Sequence, residues 1–417
     1  MRLTILNQFY VPDISPTAHL CASLAEHRAA QGDEVTVVAS WGGYVPASGE
    51  SRGDASDNPR VRRVWTPRFG KATILKRCLD YATFYALATW RFVTMPPQDV
   101  IVSLTTPPYI AWAAVLHKML HPSTKIVLWN MDCYPDAAER TNVIKTGGLL
   151  SRAMRRMNRG LFRRIDHLVC LDTAMTDLLL SQYGPRDRAL PSTVIPNWEK
   201  ASFFPADASP PAWGEASALG LEGKFVVLYL GNTGYGHMFE TALDAAAELR
   251  GEDVVFLFVG GGSRWGEIER LAQERDLQNV VMRGYVPKQE TPSVMAGASC
   301  ALITLRDEAL GVMSPSKLHS NLAMRLPVIY IGPEKSNVDD AIRWYGCGVS
   351  VREGDAAGVT RFVREAMADP ARFEALRAEA RRAFDEAYCD ERTLPRFDGV
   401  LASLREEAPE PATEAAL

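Results

Sequence analysis

Two short stretches carry residue types suited to an anionic ligand. In "GVMSPSKLHSNLAMRLPVIYIG" (311–332), a small flexible run reaches Pro315. A short helical pattern follows at Leu318, Leu322 and Ala323, then a buried-strand pattern at Val328–Ile331. A loop that opens a helix between two strands is where open α/β proteins take anionic ligands. Ser316 offers an amide and a hydroxyl there, and Lys317 an ammonium. The alternative is that Pro315 and Ser316 only cap the helix. The second stretch, "GNTGYGH" (231–237), ends a strand pattern, and Gly231, Gly234 and Gly236 free its backbone to approach a phosphate. Asp132, in "WNMDCYP", stands at a predicted strand end, where a carboxylate orients a hydroxyl or takes its proton. His19, in "SPTAHL", lies near a helix start and is a second candidate for proton or phosphate chemistry, with a structural histidine as the alternative.

These residues need elements to position them. "LTILNQ" reads as a buried strand and "TAHLCASLAEHRAAQG" as an amphipathic helix closed by Gly32. "EVTVVAS", "VIVSLTTPP", "KIVLWNMD" and "HLVCLD" continue the strand series. Continuous apolar strands between helices indicate a parallel sheet covered on both faces. Right-handed crossovers then place loops 7–16, 105–108 and 130–136 on its carboxyl edge. After a Pro-, Ser- and Ala-rich stretch, "KFVVLYLGNTGYG" starts a second series with "VVFLFVGGGS", "NVVMRGYV", "CALITL", "PVIYIG" and "GVSV". The expected class is α/β with two doubly wound, Rossmann-like domains facing a cleft. The expected divisions are 1–197, a linker at 198–222, a second domain at 223–390, a helix at 391–405 returning to the first domain, and a disordered acidic tail at 406–417.

Composition narrows the function. The chain has 417 residues, 47% hydrophobic and 23% charged, which fits two globular domains. A formal net charge of −4 argues against nucleic acid as a partner. The seven cysteines are scattered, without a CxxC pair, so neither a disulfide framework nor a zinc site is expected and a reducing compartment is favoured. The start lacks the apolar core of a signal peptide. No apolar run reaches the ~18 residues of a spanning helix.

"NQFYVPDISPTAHL", "WNMDCYPD", "VIPNW", "LYLGNTGYG", "FVGGGS", "RGYVPKQE" and "SPSKLHSNLAMRLPVIYIG" stand in the order found in bacterial family 4 glycosyltransferases. The resemblance runs from Leu3 to about Phe397 and is nearest to the branch that builds exopolysaccharides and O-antigens. It implies a GT-B fold and a retaining transfer of sugar from a nucleotide diphosphate, most naturally a UDP-sugar. It also implies that no metal is required, and that the acceptor is a lipid-diphosphate-linked saccharide at the inner face of the cytoplasmic membrane. On this resemblance Gly231, Asn232, Thr233, Gly234, Gly236, Arg283, Tyr285, Val286, Pro315, Ser316, Lys317 and Ser320 form the donor site. Tyr285 would stack on the base, or else be a core tyrosine at a strand end. Tyr10, Asp13 and Thr17 would contact the acceptor. Asp132, Lys317 and His19 would act at the reacting centre, with Asp132 only positioning if the leaving phosphate takes the acceptor proton. A UDP-sugar 2-epimerase or a catalytically silent nucleotide-sugar-binding scaffold are the alternatives.

The chain departs from the family pattern in two places. Many relatives carry paired glutamates around the 317 helix, where Val312 and Ser320 stand here, with Glu308 four residues early. They also often carry an arginine and a lysine after the "GN" strand, where this chain has His237 and Met238. Phosphate charge would then rest on Lys317, with Arg283 or Lys288 in support.

Between Arg140 and Arg164 there are eight basic residues and no acidic one. Arg152, Arg155, Arg156, Arg159 and Arg163 share a helical face, opposite Met154, Met157, Leu161, Phe162 and Ile165. Such a helix is expected to lie on an anionic membrane surface through Arg152, Arg155, Arg156 and Arg159, or else to be a surface helix with its apolar side in the core. Lys71, Lys76 and Arg77, beside aromatic residues, would extend the same surface.

Overall fold

The computed structural model describes residues 1–13, 15–41, 57–67, 74–205 and 210–406. Contacts divide the chain into two units, one of residues 1–171, 175–195 and 394–417, the other of 172–174 and 196–393.

The first unit is a seven-stranded parallel sheet made of β1 (Arg2–Leu6), β2 (Glu34–Ser40), β3 (Arg60–Val64), β4 (Val100–Leu104), β5 (Lys125–Trp129), β6 (His167–Cys170) and β7 (Ser192–Val194). Their order is β3-β2-β1-β4-β5-β6-β7, so the winding reverses between β1 and β4. The central strands are mostly apolar, buried throughout β4 and β6 and at all but the first residue of β1 and β5, as burial on both faces requires. Helices α1 (Pro16–Ala30), α2 (Ile74–Thr94), α3 (Ala111–Leu120), α4 (Asp136–Arg140), α5 (Leu149–Phe162) and α6 (Thr173–Tyr183) complete it. Strand β3, "RVRRV", carries no apolar run to announce it. It is a half-exposed edge strand, where arginines suit the position.

The second unit holds β8 (Phe225–Asn232), α7 (Glu240–Glu248), β9 (Val254–Gly261), α8 (Trp265–Glu274), β10 (Val280–Arg283), α9 (Thr291–Ala296), β11 (Cys300–Thr304), α10 (Lys317–Ala323), β12 (Val328–Ile331), α11 (Asn337–Tyr345), β13 (Gly348–Val351), α12 (Ala356–Ala368) and α13 (Pro370–Ala383). Its six parallel strands run β10-β9-β8-β11-β12-β13, reversing between β8 and β11. Residues 210–222, within the segment read as a linker, are packed: Trp213 and Leu221 are buried with Val226, Leu228 and Val255 of the sheet.

The last helix, α14 (Asp390–Glu406), belongs to the first unit from Leu394 on. Its Phe397 ring meets Trp129 at 4.6 Å between centroids, and its Asp398 carboxylate accepts from His27 Nε2 at 2.9 Å and from Arg28 at 2.6 Å. The tail expected to be disordered, and Lys71, lie outside the described residues, as do the side chains of Lys76 and Arg77.

Candidate functional site

In an open parallel sheet the ligand crevice forms at the carboxyl ends of the two strands where winding reverses. In the second unit these are β8 and β11, and the loops that leave them bring together His237 and Arg306, with Lys317 at the start of α10. The Lys317 ammonium donates to the Tyr229 hydroxyl at 2.9 Å, to the Asn232 carbonyl at 3.3 Å and to His237 Nε2 at 3.4 Å. It also sits 4.4 Å from the Tyr229 ring centroid, within cation–π range. Among the described residues no carboxylate pairs with it. Part of the side chain remains open to solvent, yet burial of the ammonium among uncharged groups draws its pKa from 10.5 down to about 7.

His237 is buried and held on both sides. Its Nδ1 lies 2.6 Å from the Thr304 carbonyl, which can only accept, so Nδ1 carries the hydrogen and Nε2 presents a lone pair to Lys317. Burial, then the Lys317 and Arg264 charges, pull the imidazole pKa down to about 3, so it is neutral near pH 7. The His237 carbonyl accepts from Arg264 at 2.7 Å and from Arg306 Nε at 3.1 Å. Arg264 is itself neutralised by Glu240 and Glu267, at 2.9 and 2.6 Å.

Two glycines make this geometry possible. Gly231 has φ +123°, and a Cβ there would stand 3.1 Å from Lys317 Cε. Gly260, with φ +140°, lies against Gly231 so closely that a Cβ would fall 2.1 Å from the Gly231 carbonyl oxygen. The glycines thus serve chain-to-chain approach under Lys317.

The structure gathers Gly231, Asn232 and Lys317 directly, with Thr233 and Gly234 in the same loop. Thr233 is fully buried, and its amide donates to Gly261 at 2.7 Å. Gly236 is buried under the Met313 side chain, so it serves packing. Ser316 is exposed at the helix start and makes no capping bond with its side chain. Pro315 is buried, its carbonyl 3.4 Å from Asn337 Nδ2, and the Ser320 hydroxyl turns back to the Lys317 carbonyl at 3.3 Å. Tyr285 is 66% exposed, and its ring edge lies where a Cβ on Gly261 would come within 2.8 Å. Arg283 does not join the group: Glu215 of the packed segment 210–222 holds its guanidinium in two hydrogen bonds, so that charge is already compensated. Val286 packs beside the Trp213 cluster and Val312 is buried. Tyr229, His237, Arg264 and Arg306 were not among the residues the sequence singled out for the donor. His237 alone gave a signal, as a family departure.

In the first unit Asp132 is exposed at the carboxyl end of β5. The Thr105 hydroxyl accepts from the amides of Met131 and Asp132, at 3.0 and 3.1 Å, and fixes that loop. Asp132 lines a narrow cavity with Thr105, Asn130, Tyr134 and Asn158. His19 is exposed on the first turn of α1, and the Thr17 hydroxyl lies 3.0 Å from that of Ser15. Tyr10 and Asp13 are buried, and the Asp13 carboxylate accepts from the Tyr10 amide at 3.4 Å. That pair shapes its own loop. The arginine helix α5 also differs from its expected form. Arg155 is turned inward onto Asp136, at 2.9 Å, and onto Glu139, two nearly buried carboxylates. The buried face of α5 is Ser151, Asn158, Leu161 and Phe162, whereas Met157 is 41% exposed. Arg152, Arg156, Arg159 and Arg163 stay exposed.

Residues 17–198 match the Glycosyl transferase 4-like domain, and residues 215–384 match Glycosyl transferases group 1. The chain is a glycosyltransferase. It is 21% identical over 401 residues to the "Putative colanic acid biosynthesis glycosyl transferase WcaI" of Escherichia coli (strain K12), covering 93% of this chain and 97% of that one. To the "Probable glycosyltransferase WbjE" of Pseudomonas aeruginosa it is 25% identical over 308 residues, 72% of this chain and 74% of that one. The crystal structure of Anabaena HepE in complex with UDP and glucose superposes with a TM-score of 0.69 at 14% identity, covering 97% of this chain and 100% of that one. The glycosyltransferase therefore has the GT-B fold, with its crevice of Lys317 and His237 inside the group 1 match. Among its described residues no helix is long and apolar enough to cross a membrane.

Proposed function

We propose that this glycosyltransferase moves a sugar from a UDP-sugar to a lipid-diphosphate-linked saccharide, with retention at the anomeric carbon, in the synthesis of a bacterial surface polysaccharide. The observation that carries the reading is Lys317: an ammonium at the β8/β11 switch point, held by a ring, a hydroxyl, a carbonyl and an imidazole, with no carboxylate paired to it among the described residues. A departing diphosphate needs such an uncompensated charge, and it stabilises the leaving group without calling on a metal. Tyr285, exposed at the end of β10 against Gly261, is placed to stack on the base. The UDP and glucose bound to HepE and the polysaccharide role named for WcaI support this choice of donor and pathway.

In the transfer, the bond from the anomeric carbon to the β-phosphate oxygen breaks as the acceptor oxygen bonds the same face of that carbon. The acceptor proton passes to the leaving phosphate oxygen. In this reading Asp132 of the first unit orients the acceptor hydroxyl, and His19, exposed on α1, serves the leaving phosphate or the acceptor.

The acceptor's lipid places the enzyme on the inner face of the cytoplasmic membrane. Exposed Arg152, Arg156 and Arg159 stand on α5, Arg163 follows it directly, and Leu149 and Leu150 at its start are 82% and 60% exposed. Helix α3 packs on both α2 and α5, and these neighbours leave Trp90, Met119 and Leu120 in solvent. Apolar side chains beside arginines suit an anionic bilayer.

Thermal stabilisation across UDP-, GDP-, dTDP- and ADP-sugars, with and without EDTA, tests the donor. A shift confined to uridine nucleotides and unchanged by EDTA is expected. A shift for another base, or one abolished by EDTA, removes the UDP or the metal-free part of the reading. No shift at all removes the donor-site reading.

A further inference from the structure

We propose that His237 is a positioning residue for the donor's diphosphate: its Nε2 lone pair aims the Lys317 ammonium, and its carbonyl aims the Arg306 guanidinium. The proposal rests on the donor-site reading above and deepens it.

His237 is the one residue hydrogen-bonded to both cations among the described residues. Lys317 approaches its side chain at 3.4 Å, and Arg306 Nε donates to its carbonyl at 3.1 Å. The residue cannot swing. The Thr304 carbonyl fixes Nδ1–H at 2.6 Å, Arg264 pulls on the same His237 carbonyl at 2.7 Å, and the Arg306 amide returns to the Gly236 carbonyl at 2.9 Å. Arg306 pairs with no carboxylate among the described residues, and its two terminal nitrogens make no hydrogen bond there, so the guanidinium keeps donors for a phosphate. Arg264, the third cation at His237, is instead occupied by Glu240 and Glu267.

The charge pattern follows from a histidine in this place. An arginine or lysine here would put another positive group against Lys317. A neutral imidazole accepts from Lys317 and adds no charge. The groups facing the pair are Tyr229 and the Asn232 carbonyl from β8, Arg264 with Glu240 and Glu267 from α7 and α8, and Arg306 after β11. Burial holds the His237 pKa at about 3, so the imidazole is a neutral acceptor near pH 7 and above.

The test measures UDP binding by titration calorimetry at pH 7.5 to 8.5, between the titration of UDP's terminal phosphate and that of its uracil N3–H. It compares wild type, His237→Asn, His237→Gln, Lys317→Met and the double variant His237→Asn/Lys317→Met. Asparagine keeps a donor for the Thr304 carbonyl but has no acceptor at the Nε2 position, and glutamine returns an acceptor there. His237→Asn is expected to weaken UDP about 10-fold, as loss of one hydrogen bond to a charged group does. His237→Gln is expected to recover most of that. In the Lys317→Met background His237→Asn is expected to cost nothing further, because its target is gone. Proton uptake on binding, read at pH 7.5 in buffers of different ionisation enthalpy, is also expected to be larger for His237→Asn than for wild type, since an ammonium that loses an acceptor gives up its proton sooner. Equal losses from His237→Asn with and without Lys317 would show a merely structural histidine, as would no loss at all. If Lys317→Met binds UDP as tightly as wild type, the donor-site reading itself falls.

Discussion

The Lys317 ammonium stands 2.9 Å from the Tyr229 hydroxyl, and that hydroxyl donates in turn to the Asn232 carbonyl at 2.8 Å. Burial raises the Tyr229 pKa, so the phenol stays protonated and the relay is made of uncharged groups. A cation seated on a π-face and a hydroxyl is held in place while its charge remains available to a ligand.

Activity and stability should therefore separate at Lys317. Lys317→Ala is expected to lower kcat/KM for the donor by ~10²–10³-fold, the size of losing one charge-stabilising donor at a leaving group. The melting temperature of the unliganded chain should not fall, because an ammonium without a carboxylate partner contributes no ion pair to the fold. Gly231→Ala should mimic part of the loss by pressing a Cβ against Lys317 Cε at a φ of +123°. Steady-state kinetics beside thermal melts decide it. A Lys317→Ala enzyme with near-normal turnover removes this residue from the mechanism.

The pH dependence has a definite sign. Folding lowers the Lys317 pKa from 10.5 to about 7, so between those values the unfolded chain holds one more proton than the native one. Native stability then rises with pH across that window relative to Lys317→Met. Donor affinity runs the other way, because a bound diphosphate favours the ammonium. Binding takes up a proton above pH 7, and affinity falls by up to about tenfold per pH unit. Calorimetry in buffers of different ionisation enthalpy reads that proton. A wild-type UDP affinity flat from pH 7.5 to 8.5, with no proton taken up, would mean that Lys317 is already charged in the free enzyme.

Tyr285 is expected to act on the base alone. Its ring is 66% exposed, so Tyr285→Ala should leave the melting temperature of the free chain within about a degree, as surface substitutions do. Stacking of a base on an aromatic ring is worth ~1–3 kcal/mol, so UDP should bind about 10-fold more weakly or worse. Tyr285→Phe should bind like wild type. Equal UDP affinity in Tyr285→Ala would leave this tyrosine a surface residue.

The two sheets were legible because their strands are unbroken apolar runs, and the Lys317 loop because "SPSK" sits between a strand and a helix pattern. Strand β3 was not, since an arginine-rich edge strand carries no such run. The packed state of 210–222 was hidden for a related reason: Pro and Ser around Trp213 look like a linker, and only the sheet beneath shows what the tryptophan covers. Arg283 and Arg155 illustrate the harder limit. Each looked like a cation awaiting a ligand, yet Glu215 holds the first, 68 residues away, and Asp136 and Glu139 the second. Ion pairing over such separations leaves no local pattern. Arg306 shows the converse, because neither its type nor its neighbours set it apart until His237 was in place beside it.

Those ion pairs divide the arginine helix into two kinds of residue, and the division can be measured. Arg155 is held above its ordinary pKa, first by the Glu139 carboxylate, and it is the partner of two carboxylates that are nearly buried. Arg155→Ala should cost the fold ~1–3 kcal/mol, since it unpairs Asp136 and Glu139, which still accept from Tyr183 and Ser151. Its flotation should stay like wild type, since this charge is already compensated. Arg152, Arg156 and Arg159 are exposed and make no ion pair among the described residues, so reversing all three to glutamate should leave the melting temperature nearly unchanged. Flotation with anionic liposomes should nevertheless be lost, and flotation with neutral ones should be weak from the start. Trp90→Ser and Leu149→Ser together should weaken flotation even at low salt, where charge attraction is strongest. If the triple reversal still floats on anionic liposomes, helix α5 is not the docking surface and the membrane placement must rest on another face.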